Sequence, residues 1–347
     1  MDSHHHSAAT QQTQEGKTAR PSRFNNLRSL ADIRSSNGFF SKLLNFFRQT
    51  WLDWTGLVAV GILTAGLWTV HPTRVRHFPI TFSSSGDIVY PTLAYPYVSP
   101  IFSAAAAGLL CALLPIAVVL LCQIRPLHPG HRRFEDVSSA ILGLAYSLLT
   151  GTFFQVVLKK SIGGFRPHFL SVCEPVIDGN AVPAVRGTGF QSVMYTSEVC
   201  TGDTGKIQNA MESFPSGHAE IAFAGLLYLA IYLNAHLRVF SFSATLVSRR
   251  PKYLKMLAVI APILLATYLA STLVLGHHHH AYDVIFGGLI GSGMAIWGYK
   301  MAFVSIWDGR TNWVPLRLRE EVDEFSISTN ADGGVLPMRR PDSERVV

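Results

Sequence analysis

The sequence predicts an all-α membrane protein, a bundle of six transmembrane helices with a polar face toward the lumen or the exterior. Two observations carry that prediction. The 347 residues are 48% hydrophobic but only 15% charged, where a soluble domain carries about 25%. The uncharged residues are also gathered into blocks of membrane-spanning length, and the basic residues fall mostly in alternate loops.

Residues 1–50 are polar and contain Ser, Gln and Arg, with no apolar run near Met1 to serve as a cleavable signal. They read as a disordered cytoplasmic tail, which leaves the first span to act as signal anchor. His4, His5 and His6 support no conclusion. A helix needs about 20 apolar residues to cross the hydrocarbon. Residues 54–73 supply the first span, without a Lys, Arg, Asp or Glu. Residues 88–124 are uncharged throughout, but Pro91, Pro96 and Pro100 make the front part a loop and leave a helix over 99–122. Residues 137–158 and 256–276 are spans of the same kind. Residues 221–237 and 284–299 are shorter; each is extended by its flank, 218–220 for the first and 300–304 for the second, where Lys300 snorkels. All six spans are helical, because only a helix or a closed barrel satisfies its backbone in lipid. Residues 51–305 form the membrane domain. Residues 306–347 mix Arg317 and Arg319 with Glu320, Glu321, Asp323 and Glu324, then turn Gly/Pro/Ser-rich, and read as a disordered cytoplasmic tail.

Positive charge is retained on the cytoplasmic side. The two ends of the chain and the loops 123–136 and 238–255 hold 22 Lys and Arg, against 7 on the other face. Both termini are therefore expected in the cytoplasm, with the loops after spans 1, 3 and 5 luminal or extracellular. The net charge of +7 is this topology signal rather than a nucleic-acid footprint. Cys111 and Cys122 sit in span 2, as packing residues or acylation sites. Cys173 and Cys200 share the long loop after span 3 and can pair if that loop faces an oxidising compartment; spacing alone leaves the pairing open.

Three polar groups stand at membrane level on the 7-charge face. Lys159, Arg166 and Pro167 follow span 3; Pro215, Ser216, Gly217 and His218 open span 4; His277, His278, His279, His280 and Asp283 turn from span 5 into span 6. Each span reverses the side, so all three open on one face. Lys159 offers a point charge and Arg166 a planar fork for two phosphate oxygens. Ser216 and Gly217 lie at a helix N-terminus, where backbone N–H groups and the helix dipole favour an anion. His279 and Asp283, at i and i+4, are placed for a carboxylate to fix an imidazole tautomer. Such a histidine is a nucleophile toward phosphorus, and His218 is an acid/base candidate. His280, at i and i+3 from Asp283, is the alternative register.

These residues resemble the lipid phosphate phosphatases of the type 2 phosphatidic acid phosphatase superfamily. The family pattern is Lys-x6-Arg-Pro, Pro-Ser-Gly-His and Ser-Arg-x5-His-x3-Asp. Lys159, Arg166 and Pro167 match the first part, Pro215 through His218 the second, and His279 and Asp283 the end of the third. The resemblance implies a phosphatase that needs no metal or other cofactor and takes a lipid phosphate, such as phosphatidate, from the bilayer. His279 would form a phosphohistidine with Asp283 in support. His218 would protonate the leaving oxygen, and Lys159, Arg166, Ser216 and Gly217 would hold the phosphate oxygens. The loop 173–213 would cover the pocket.

One position departs from the pattern. Counting back from His279, the Ser-Arg pair falls on Thr272 and Leu273, so the third phosphate-binding arginine is absent. Loss of such a donor typically costs about 3–4 kcal/mol of transition-state stabilisation. His277 and His278, if protonated, are candidate replacements. Two other functions follow from the same residues: a non-catalytic relative that binds lipid phosphates, suggested by Leu273, and a transporter metal site at the histidine run. The second lacks the paired ionisable residues of an ion path inside the spans. Gly287, Gly288, Gly291 and Gly293 read as helix-packing positions, Trp51, Trp54 and Trp68 as an interfacial belt, and Arg249, Arg250 and Lys252 as cytoplasmic lipid contacts.

Overall fold

A computed structural model describes residues 38–70, 76–81, 85, 91–124, 133–176, 187–239 and 252–318. The chain divides into two units, Met1–Trp51 and Leu52–Val347. In the first, helix α1 (Phe39–Gln49) lies inside the segment expected to be disordered. Apolar residues at 39, 40, 43, 44, 46 and 47 recur at helical spacing, so the polar tail stops a dozen residues before position 50. Residues 1–37, including His4 to His6, lie outside the described residues.

In chain order the remaining helices are α2 (Trp51–Thr69), α3 (Ala104–Cys122), α4 (Arg133–Ser161), the short α5 (Phe169–Cys173) and α6 (Thr204–Ala210), α7 (Gly217–Leu237), α8 (Lys252–Leu275) and α9 (Ala281–Ala302). Among the described residues one two-residue ribbon, β1 (Phe78–Pro79) against β2 (Met194–Tyr195), is antiparallel with Phe78 opposite Tyr195. The protein is thus predominantly helical. Five of the described helices, α2, α3, α4, α7 and α8, are long and apolar enough to cross a membrane. The sixth expected span exists as the 22-residue α9, but it is not among those five. Its glycines and Lys300 dilute its hydropathy. Large apolar side chains such as Leu113, Phe154, Leu264, Leu289 and Trp297 remain exposed on the helices' outer faces, a surface suited to lipid and not to water.

Local chemistry sets the helix ends. Helix α3 begins five residues after the expected position 99, because Ser103 caps it by accepting from the Ala106 N–H at 3.2 Å. Helix α4 overruns its uncharged stretch at both ends, with Glu135 and Asp136 in its first turn and Lys159 and Lys160 in its last. Each charge complements the helix dipole there.

Helix α7 is the centre of the bundle and packs against α3, α4, α8 and α9. Glycines let α9 approach closely: a Cβ on Gly287 would strike the Ser216 carbonyl, and one on Gly291 the Glu220 carbonyl. Side-chain hydrogen bonds tie α4 to α7, from the Ser147 hydroxyl to the Ala224 carbonyl (2.9 Å) and from the Tyr228 hydroxyl to the Ala140 carbonyl (2.8 Å). At the end where α4 starts and α7 stops, the buried Asp136 accepts from the Tyr232 hydroxyl at 2.7 Å and lies 3.3 Å from the His236 Nε2.

At the opposite end a small cap has its own core, with Phe78, Phe169, Val172 and Ile207 buried together. Cys173 and Cys200 are disulfide-bonded and tie α5 to the segment before α6. Beyond α9 the chain stays folded: the Tyr299 hydroxyl donates to the Asn312 carbonyl at 2.8 Å, and Phe303 pairs with Pro315. The folded part therefore runs past position 305, to at least residue 318, and residues 319–347 lie outside the described ones, as do Arg249 and Arg250.

The α7–α9 approach sets a test. Gly291→Val is expected to destabilise the detergent-solubilised protein by about 1–3 kcal/mol through overpacking. Gly293→Val, where a Cβ meets open space, is expected to leave the unfolding midpoint nearly unchanged.

Candidate active site

The last turn of α4, the first turn of α7 and the α8–α9 turn meet beneath the cap. Together they enclose a cavity of about 390 Å³ whose walls include Lys159, Arg166, Gly217, His218, Leu273 and His279. The α8–α9 turn is sharp because His277 adopts a left-handed conformation (φ 55°) just after the helix ends. The Leu273 carbonyl then accepts from the His278 and His279 N–H groups at 2.9 and 3.2 Å, which aims His279 inward.

Asp283 is fully buried and gathers the site around itself. Its Oδ2 accepts from the Ser213 hydroxyl at 2.6 Å and from the His280 N–H at 3.0 Å. Its own carbonyl accepts from the Ser216 N–H at 3.0 Å, so the turn before α7 is stitched to the start of α9. The His279 Nδ1 stands 3.7 Å from the same Oδ2 and 3.5 Å from the Ser213 oxygen. This spacing is longer than a hydrogen bond, as catalytic contacts often are before substrate binds. Burial holds the His279 imidazole far below the usual histidine range, at about 3, with Asp283 opposing the shift only in part. The ring is therefore neutral at physiological pH, with a lone pair available.

The cationic side is built from two segments. The Lys159 ammonium, buried, donates to the Glu212 carbonyl at 2.8 Å. The Arg166 guanidinium donates to the Asn209 Oδ1 at 2.6 Å, while its Nε is buried without a partner. Burial lowers the Arg166 pKa to about 10 against the pull of Glu212 and Asp283, so the group stays charged. The His218 Nε2 is buried with no partner. A phosphate monoester in the cavity would supply what both orphaned nitrogens lack.

Several expected residues take other tasks. Ser216 supplies no free amide: its N–H is committed to Asp283 and its hydroxyl caps α7, accepting from the Ala219 N–H at 3.5 Å. Gly217 does line the cavity. His280 is not the inward histidine. It caps α9 and stacks on Tyr282, ring centroids 5.0 Å apart, with its Nδ1 3.5 Å from Asp283 Oδ2; of the two histidines, His279 is the one that lines the cavity. His277 stacks on Tyr95 at 4.2 Å and gives its carbonyl to the His168 Nδ1 at 2.8 Å. His278 does line the cavity, but burial and the Arg166 charge lower its pKa, so the protonated donor imagined in place of the missing arginine is disfavoured. Leu273 lines the cavity with hydrocarbon. The four histidines diverge, and among the described residues no group of three or more His, Cys, Asp or Glu is placed to hold a metal ion.

Sequence reasoning missed Ser213, Asn209 and Lys206. Ser213 holds Asp283, Asn209 holds Arg166, and Lys206 lines the cavity mouth with its ammonium 5.7 Å from the Tyr97 ring. Only Ser213, two residues before Pro215, stood close enough to a motif to be found.

Comparison with known proteins bears on the family. The PAP2 superfamily profile matches residues 140–307. A PA-phosphatase related-family protein of Dictyostelium discoideum is 30% identical over 273 residues, covering 76% of this chain and 72% of its own. The chain belongs to the PAP2 superfamily. A probable lipid phosphate phosphatase 4 of Arabidopsis thaliana is 28% identical, with 77% of each chain covered. Diacylglycerol pyrophosphate phosphatase 1 of Saccharomyces cerevisiae is 30% identical over 59% of this chain and 63% of its own. No solved structure matches the chain at a significant level. The PAP2 profile spans α4 to α9 and so takes in all three site segments, while α2 and α3 fall outside it.

Two tests follow. Ser213→Ala removes the shortest bond to Asp283 and leaves a buried acceptor short of a donor, a loss of about 1–3 kcal/mol; activity toward a phosphorylated lipid is expected to fall at least tenfold, read as kcat. Burial also holds His168 at about 4 and His279 at about 3 in the folded protein, against about 6.5 when unfolded. Below pH 6.5 the unfolded chain binds more protons, so stability is full above that pH and drains as pH falls toward 4. The unfolding midpoint is expected to drop between pH 7.5 and 5, and His168→Gln to shrink that drop.

Proposed function

We propose that this PAP2 protein is a lipid phosphate phosphatase that releases phosphate from phosphatidate-like lipids through a phosphohistidine, without a metal. The observation that carries the reading is an inward imidazole at His279 beside a buried carboxylate, facing Lys159, Arg166 and a second histidine across one cavity.

In the first step the His279 lone pair attacks phosphorus, a P–N bond forms and the P–O bond to the lipid breaks. His218, holding a proton once the phosphate dianion sits beside it, gives that proton to the leaving oxygen, which departs as an alcohol. Asp283 supports the imidazolium that forms, as a carboxylate does for any histidine gaining charge. In the second step His218, now neutral, takes a proton from water as that water attacks phosphorus. The P–N bond breaks, inorganic phosphate leaves, and both histidines return to their starting states. Lys159, Arg166 and the Gly217 end of α7 stabilise the charge that grows on the non-bridging oxygens.

The full reading includes six spans with both termini cytoplasmic and the cavity luminal or extracellular. The positive-charge imbalance supports it, and so does the Cys173–Cys200 disulfide, since such bonds persist in oxidising compartments. The cavity lies at helix ends, where phospholipid headgroups reside. One observation favours a second reading, a lipid-phosphate-binding protein without turnover: Leu273 presents hydrocarbon where the family pattern has arginine.

Purified protein in detergent micelles with excess EDTA is expected to release phosphate from phosphatidate, and His279→Ala to abolish release by a factor of 1,000 or more, about 4 kcal/mol. Leu273→Arg is expected to raise kcat. No release by a folded parent, with phosphatidate still bound, would establish the second reading.

A further inference from the structure

One buried carboxyl in the cavity has no part in the reaction. Glu220, on α7, is 1% exposed and lines the same cavity as His218. Its Oε1 is buried with no hydrogen-bond partner, and no ion pair reaches it among the described residues. Thr152 is its polar neighbour, but the single Thr152 hydroxyl proton is given to the Leu148 carbonyl at 2.8 Å. A carboxyl left short of donors in an apolar bundle is costly, and an ionisable residue at membrane depth marks a binding path far more often than a packing position. Room has been made for it: a Cβ on Gly151 of α4 would strike Glu220 Oε1.

We infer that Glu220 receives a hydrogen-bond donor carried by the lipid next to its phosphate ester, a free hydroxyl or an ammonium, and so sets substrate preference. This rests on the lipid phosphatase reading above. An α-helix rises 1.5 Å per residue, so Glu220 lies about 3 Å deeper along α7 than His218, the group that faces the leaving oxygen. Substituents on the carbons that follow that oxygen therefore come level with the carboxyl. Glu220 Oε1 lacks a donor, and ester oxygens only accept hydrogen bonds. A diacyl phosphatidate presents esters at this depth and leaves Oε1 unsatisfied. A lysophosphatidate presents a hydroxyl, and a sphingoid phosphate presents an ammonium, the stronger donor. Ile221 and Ala104, on the same cavity wall, give the hydrocarbon chain an apolar surface beyond that point.

The test compares kcat/KM of the full chain in mixed micelles for dioleoyl phosphatidate, oleoyl lysophosphatidate and sphingosine phosphate, in the parent, Glu220→Gln and Glu220→Asp. The expected result is a fall of at least tenfold in the sphingosine phosphate to phosphatidate ratio for Glu220→Gln, whose amide N–H groups suit an ester oxygen, a smaller fall for lysophosphatidate, and an intermediate ratio for Glu220→Asp, which keeps the carboxyl group. A ratio that stays within twofold of the parent, or an equal loss on all three lipids, overturns the inference. If the parent turns over none of the lipids, the phosphatase reading has failed; the same ratios, measured as equilibrium binding of the three lipids, then decide the role of Glu220 by the same criteria. If Glu220→Gln does not fold, Glu220→Asp alone decides: a ratio shifted at least threefold supports the assignment, and an unshifted one overturns it.

Discussion

The buried carboxylate of Asp283 is the constraint on which the site depends. A charge with no access to water persists only where donors are built around it. Here they come from the end of the cap, through the Ser213 hydroxyl, and from the α8–α9 turn, through the His280 amide. The Asp283 carbonyl in turn holds the Ser216 N–H. Satisfying one residue thus fixes the cap, the start of α7 and the start of α9 relative to one another. The nucleophile candidate, the acid candidate and the phosphate cradle are carried by those same segments.

That convergence relies on how tightly the helices pack. Helix α9 reaches α7 only because Gly287 and Gly291 carry no side chain to meet the backbone of Ser216 and Glu220. In lipid there is little hydrophobic gain from bringing helices together, so close backbone approach and buried hydrogen bonds do that work. The polar groups accordingly divide between the two ends of the bundle, the Asp136–Tyr232–His236 cluster at one and the phosphate-type cavity at the other. Glu220 is the exception, a carboxyl set inward of the cavity's charged rim.

The absence of an arginine at position 273 shifts the charge of the cavity toward its other walls. Lys159 and Arg166 remain, and Lys206 stands at the mouth on α6. Position 273 was readable in the sequence, because the spacing back from His279 is fixed. The contribution of α6 was not, because Lys206 and Asn209 belong to a loop whose path is set by the Cys173–Cys200 bond and a small core around Phe78 and Phe169.

The sequence by itself determined the helical membrane class, the position of each long helix to within a few residues and the three motif segments. Those features rest on local composition and spacing: a run of uncharged residues is a span wherever it occurs, and a residue four places before an aspartate at a helix start stays near it. It did not locate α1 or the folded stretch after α9, since short amphipathic pieces look polar on average. The choice between His279 and His280 was open in sequence, as both are near Asp283; the turn at His277 places His279, and not His280, on the cavity wall. Ser216 looked like a phosphate ligand because its helix position invites an anion, and only the fold showed its N–H already committed to the Asp283 carbonyl. Which donors are free, which carboxyls lack a partner and which side chains share a cavity depend on contacts between residues far apart in the chain, and the tertiary structure alone supplies those.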